Sequence, residues 1–78
     1  RLKTADEKLN AVYRTLAKKM DEDGRKLLRD SERLWLVYRD AEVAYRSCVN
    51  PGAGTADQIL AFLTEARLKD LEFALSMR

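Results

Sequence analysis

Proline and glycine, the two residues that most readily interrupt helices, are confined to two short stretches of this chain. The one proline and three glycines among 78 residues fall in Asp21-Glu22-Asp23-Gly24 and Asn50-Pro51-Gly52-Ala53-Gly54. Three long segments are left without a breaker, and segments of that kind favour helices. Hydrophobic spacing within each supports that reading.

In the first segment Ala5, Leu9, Val12, Leu16 and Met20 recur at steps of three and four, with Tyr13 and Ala17 beside them. This is one apolar stripe on a helix. Thr4-Ala5-Asp6-Glu7 reads as a capping box ahead of it, which predicts a first helix over about 5–20. Acidic residues suit a helix N-terminus, where the backbone dipole is positive, so the second helix should begin near Asp23 and run to about 49. Its apolar stripe is Leu27, Ser31, Leu34, Tyr38, Ala41, Tyr45 and Cys48, widened by Leu28 and Trp35. Proline and glycine then stop it. Thr55-Ala56-Asp57-Gln58 is a second capping pattern, opening a third helix over about 56–76 with Ile59, Leu60, Leu63, Ala66, Leu71, Ala74 and Leu75 on its apolar face. Short connections make neighbours antiparallel. The expected fold is all-α: one domain spanning 1–78, an antiparallel three-helix up-down-up bundle whose long second helix overhangs at one end.

A chain this short buries only roughly 60% of its unfolded surface, so stability is marginal and a staple or a partner is usual. One cysteine and no histidine rule out an internal disulfide and a transition-metal site built from this chain alone. Cys48 reads as a small buried hydrophobe, or one that pairs with a cysteine outside the segment. Asp21, Asp23 and Gly24 have the look of a calcium loop, but that register places Lys19 at the first ligand position and Asp30 where a bidentate glutamate is wanted. A charged turn between helices is the better account, and no metal or cofactor is expected.

Net charge is +2, too close to balance to mark a nucleic-acid surface. The basic excess lies in residues 1–20, including Lys18 and Lys19, and reads as a solvated helix face. No apolar run is long enough to span a membrane. The chain begins at Arg1 without a methionine, which implies processing or excision from a longer protein, so an export signal would not be visible here.

Catalysis is not expected. Asp30 with Glu32 and Asp40 with Glu42 are two residues apart and diverge around a helix. Arg33, Arg39 and Arg67 resemble the anion-binding arginines of small helical enzymes, yet nothing in the sequence orients them toward one cleft. Arg67 lies near the apolar face of the third helix, and a buried arginine needs a carboxylate; Asp40 is the candidate. Trp35, Tyr38 and Tyr45 follow the second helix's stripe, where aromatics are usually core, and their polar tips need partners. Asp6, Asn10 and Tyr13 form a polar ridge on the first helix.

Two blocks carry a recognisable pattern: Asp6-x-x-Leu9-Asn10-x-x-Tyr13, then Leu34-Trp35-Leu36-x-Tyr38-Arg39-Asp40-Ala41-Glu42, with Leu63-Thr64-x-x-Arg67-x-x-x-Leu71 closing the set. The chain resembles, over nearly its whole length, the N-terminal domain of the lysozyme-inhibitor LprI-like family of secreted bacterial proteins. The resemblance implies a periplasmic or secreted helical domain that binds protein, a lysozyme or another envelope protein, without inserting in the membrane. It departs from the family in lacking cysteines at Val43 and near Ile59, which suggests a bridge lost as a unit and replaced by apolar packing, and in its loop from Pro51 to Gly54. The expected structural polar core is Asp6, Asn10, Tyr13, Trp35, Tyr38, Arg39, Asp40 and Arg67. The expected partner-binding positions are the acidic turn of Asp21, Glu22 and Asp23, favoured for steering toward a cationic target, and then Pro51, Gly52 and Gly54. The alternative is an assembly module packing against another domain or subunit.

Overall fold

The computed structural model describes residues 2–49, 52 and 54–77. Asn50, Pro51 and Ala53 lie outside the described residues. Three helices and no strand are present among those described: α1 (Leu2–Lys18), α2 (Glu22–Val49) and α3 (Ala56–Ser76). The all-α bundle expected from the breaker pattern is therefore what forms.

The first helix begins earlier than the Thr4 pattern predicts. Thr4 lies inside α1, so the first capping box is absent. The second is made in full: Thr55 has extended backbone, Thr55 Oγ1 accepts from Gln58 N at 3.2 Å, and Thr55 N donates to Gln58 Oε1 at 2.9 Å. Just before it, Gly54 has φ +114°, and a Cβ there would collide with Gln58 Oε1. The positive φ is what favours glycine here, and a Cβ would in addition displace the Gln58 amide from its capping bond. At the other turn, Asp21 caps α2, its Oδ1 accepting from Gly24 N at 2.8 Å, while Arg25 Nη1 donates to Met20 O at 2.7 Å.

Helices α1 and α3 run parallel and form the main contact. Leu2 and Lys3 lie beside Asp57, Gln58 and Ala61, and Thr4, Ala5 and Lys8 beside Glu65 and Leu68. The core joins Leu9 and Leu16 of α1 to Leu68 and Leu71 of α3, and α2 adds Leu28, its one buried residue. Val12, Tyr13, Ala17, Met20, Trp35, Ala74 and Leu75 pack around this cluster. Helix α2 lies antiparallel to α3, as the pairing of residue 32 with 67 and of 39 with 64 requires. At 1.5 Å per residue its 28 residues account for the 43 Å long axis of the molecule.

The face of α2 turned to the bundle differs from the expected stripe. Leu27, Leu34, Tyr38, Ala41, Tyr45 and Cys48 are exposed. The inward positions are Leu28, Glu32, Trp35, Arg39, Glu42, Val43 and Arg46, about one residue, or 100° of helix rotation, away. On α3, Ala66 is exposed, while Ala61, Thr64 and Leu68 are buried in addition to Ile59, Leu63 and Leu71.

Candidate functional site

The inward face of α2 explains itself once its charges are paired. Glu32, Trp35, Arg39, Glu42 and Arg46 follow one another at steps of three and four, so a single helical face carries alternating signs around one indole. Arg67 of α3 reaches this face: its Nε donates to Glu32 Oε1 at 3.0 Å and its Nη2 to Ser31 Oγ at 3.2 Å. Both side chains of the ion pair are more than four-fifths buried. The pairing of Arg67 with Asp40 does not form, because Asp40 lies on the exposed side of α2. The helix rotation described above is the physical reason.

Arg39 is the second guanidinium of the cluster. Its Nη1 donates to Thr64 Oγ1 at 3.3 Å and lies 3.7 Å from Asp6 Oδ1. Thr64 is fully buried, so its hydroxyl needs a partner of this kind. Asp6 is nearly half exposed, which makes its bond to Arg39 a weak one. Arg39 Nε is closed off from solvent and has no hydrogen-bond partner among the described residues. The guanidinium carbon sits 5.1 Å from the centre of the Trp35 ring, and that of Arg67 sits 5.8 Å from it. Cation–π attraction to the ring offsets part of the desolvation of both arginines.

Higher on the same pair of helices, Arg46 binds Glu42 at 2.8 Å and covers Phe62 at 5.8 Å. Val43 is half-buried and Ile59 buried.

The structure thus gathers Asp6, Trp35, Arg39 and Arg67 from the expected polar core and places Tyr13 against the hydrophobic cluster. It leaves Asn10, Tyr38 and Asp40 exposed. It adds Ser31, Glu32 and Thr64, which composition alone did not single out; the three-four spacing of Glu32, Trp35 and Arg39 was the available signal. Chemically the cluster is closed. Each guanidinium has a carboxylate beside it, and Arg33 lies on the exposed side of α2, so three arginines do not converge on one anion. The cluster locks α2 to α1 and α3.

A stability measurement distinguishes the two candidate partners of Arg67. Replacing Arg67 with alanine strands Glu32 in a mostly buried position. The expected cost is about 2–4 kcal/mol, near the lower end of the loss seen when a buried pair is broken. Asp40→Ala, at an exposed position, should change stability by less than about 0.5 kcal/mol. Urea denaturation of both variants checks the difference, and equal effects would refute the Glu32 assignment.

Of the positions expected to bind a partner, the described ones flank the two ends of α2. Asp21, Glu22 and Asp23 are exposed, but the Asp21 carboxylate is engaged in capping, and Arg25, Lys26 and Arg29 share the surface with Glu22 and Asp23. Gly52 and Gly54 are exposed at the other end, while Pro51 lies outside the described residues. No group of three or more carboxylate or cysteine side chains is placed to hold a metal among the described residues. None of the described helices is long and apolar enough to cross a membrane.

No curated protein and no solved structure matches the chain. A family model does: the one described as lysozyme inhibitor LprI matches residues 1–71, covering α1, α2 and α3 through Leu71 with the whole arginine and tryptophan cluster. By that match the chain belongs to the LprI lysozyme-inhibitor family.

Proposed function

We propose that this is a non-enzymatic protein-binding domain of the bacterial envelope, periplasmic or secreted, and that it inhibits a lysozyme. The observation that carries the reading is the family match over residues 1–71. Structural support comes from the ends of the bundle, where exposed turns sit on a rigid frame, the usual setting for recognition.

The loop between α2 and α3 is the better contact element. Its small residues can enter a concave cleft, and its exit is held by Gly54 and the Thr55–Gln58 capping box. Pro51 joins this proposal on sequence alone. The acidic turn ranks second, since Arg25, Lys26 and Arg29 offset the field of Glu22 and Asp23 toward a cationic enzyme. The family's inhibitory role is one route to function. The assembly-module reading is favoured by a separate observation, the exposed apolar face of α2.

Turbidity assays of peptidoglycan lysis, with the domain titrated into a panel of lysozymes, test the inhibitor reading. At least one lysozyme should be slowed at stoichiometric domain. Shortening the loop from Asn50 to Gly54 should weaken inhibition by about tenfold or more, equivalent to 1.4 kcal/mol of binding. Substituting Glu22 and Asp23 by their amides should lower the association rate, and added salt should mimic that change. If no lysozyme is slowed at about 100-fold molar excess, where even weak binding would show, the inhibitor reading is wrong.

A further inference from the structure

We propose that α2 pairs antiparallel with α2 of a second copy of this chain, through the stripe of Leu27, Leu34, Tyr38, Ala41, Tyr45 and Cys48. The four large side chains among these are between 49% and 71% exposed. Together with Val37 and Val49, which are 67% and 59% exposed, they present an apolar patch of roughly 600 Å², at the upper limit for a protein that works as a monomer. A stable pair buries about 800 Å² on each partner. The apolar stripe falls short of that figure, so the pair is a weak one that forms with rising chain concentration.

The spacing is that of a helix seam. Leu27, Leu34, Ala41 and Cys48 recur every seven residues, and Ser31, Tyr38 and Tyr45 fall between them at the same period. This alternation of three and four is the pattern that joins two helices side by side. Among the described residues the seam joins no other helix: α1 and α3 occupy a face of α2 about 100° away.

Charge and size favour a second copy as the occupant. Identical surfaces repel when they carry charge, since each charge can meet its like. From Leu34 to Val49 the stripe carries none, because Arg39, Glu42 and Arg46 point to the bundle and Asp40 lies toward the opposite side. In an antiparallel register Tyr38 of each copy meets Ala41 of the other, Leu34 meets Tyr45 and Ser31 meets Cys48, so no residue of the stripe meets its own copy. A parallel pair would set tyrosine on tyrosine and alanine on alanine, alternately too wide and too narrow for close packing. Opposed helix dipoles also favour the antiparallel arrangement.

This pairing goes beyond lysozyme inhibition and does not depend on it. The test is the mass of the purified chain in sedimentation equilibrium, with no lysozyme present, so its failure and that of the inhibitor reading are seen separately. The expected species is twice the 9.0 kDa chain mass. Leu34→Glu with Tyr45→Glu should return it to the single-chain mass with unchanged helical circular dichroism, whereas Arg33→Glu, off the stripe, should leave it paired. Orientation is read by oxidation. In the antiparallel pair the two Cys48 side chains sit about 25 Å apart along the axis, 17 residues of rise. Wild-type chain should then form no covalent dimer, while Ser31→Cys, which meets Cys48 of the other copy, should form one. A wild-type mass of 9.0 kDa up to about 1 mM chain, or a double variant that associates as well as wild type, overturns the pairing. Ready cross-linking of wild type through Cys48 overturns the antiparallel register.

Discussion

Leu16→Ala should remove a large fraction of the stability of the folded chain. Leu16 is 1% exposed at the meeting of α1 and α3, packed with Leu9, Leu28, Leu68 and Leu71. Leucine-to-alanine changes at such sites cost about 2–5 kcal/mol, the transfer term plus the cavity left behind. A domain of this length holds roughly 4–12 kcal/mol in total, so the variant should melt about 8 °C lower or more, at about 4–8 °C per kcal/mol. Leu34 supplies the control. It is exposed, and in dilute solution, where single chains dominate, Leu34→Ala should cost less than about 0.5 kcal/mol. Urea melts at low chain concentration measure both, and similar losses would contradict the division of α2 into inner and outer faces.

Trp35→Ala is expected to cost about 3–5 kcal/mol, although the indole is only part-buried. The ring packs on the hydrophobic cluster and also faces two guanidiniums, at 5.1 Å and 5.8 Å. Truncation therefore removes apolar contact and a cation–π partner of both Arg39 and Arg67 together. Trp35→Phe should recover part of the loss, since a phenyl ring retains a weaker face for the cations. Trp35 is the only tryptophan, so its emission reports this site alone. A native emission maximum no bluer than that of the unfolded chain would refute the packing described.

Much of the fold is legible in the sequence, because breakers and caps act locally. Proline and glycine mark the two turns, and Thr55 with Gln58 opens α3 by hydrogen bonds made within four residues. The α1 stripe is legible too: Ala5, Leu9 and Leu16 are its buried members. Helix α2 is where periodicity misleads. It carries two candidate faces, and the more hydrophobic one, from Leu27 to Cys48, faces outward. The inner face is built from Glu32, Arg39, Glu42 and Arg46, long side chains whose stems pack while their charges pair across helices or along one. Hydrophobicity scores such a face as solvent-exposed. Only knowledge of the partners, Arg67, Thr64 and Asp6, reveals it as internal, and those partners lie up to 35 residues away in sequence. The Thr4 pattern does not set the start of α1, since a capping motif does not prevent a helix from starting three residues earlier, at Leu2.

The parallel contact of α1 with α3 bears on how the chain reaches this state. The residues that bury Leu9 and Leu16 are Leu68 and Leu71, more than fifty positions further along. Consecutive helices of an ordinary bundle gain most of their contact as hairpins, closing short loops first. Here the hairpin of α1 with α2 gains little, and the main core waits on closure of a loop that contains all of α2. Loop-closure entropy rises only slowly with length, but it must be met before the contacts that reward it exist. Folding should therefore be slower than in helical bundles whose cores are local. Leu16 and Leu68 variants should slow refolding, while changes at the α1–α2 turn should mainly alter unfolding. Until α3 has emerged, a chain being synthesised or threaded through a pore has no core in which to bury α1.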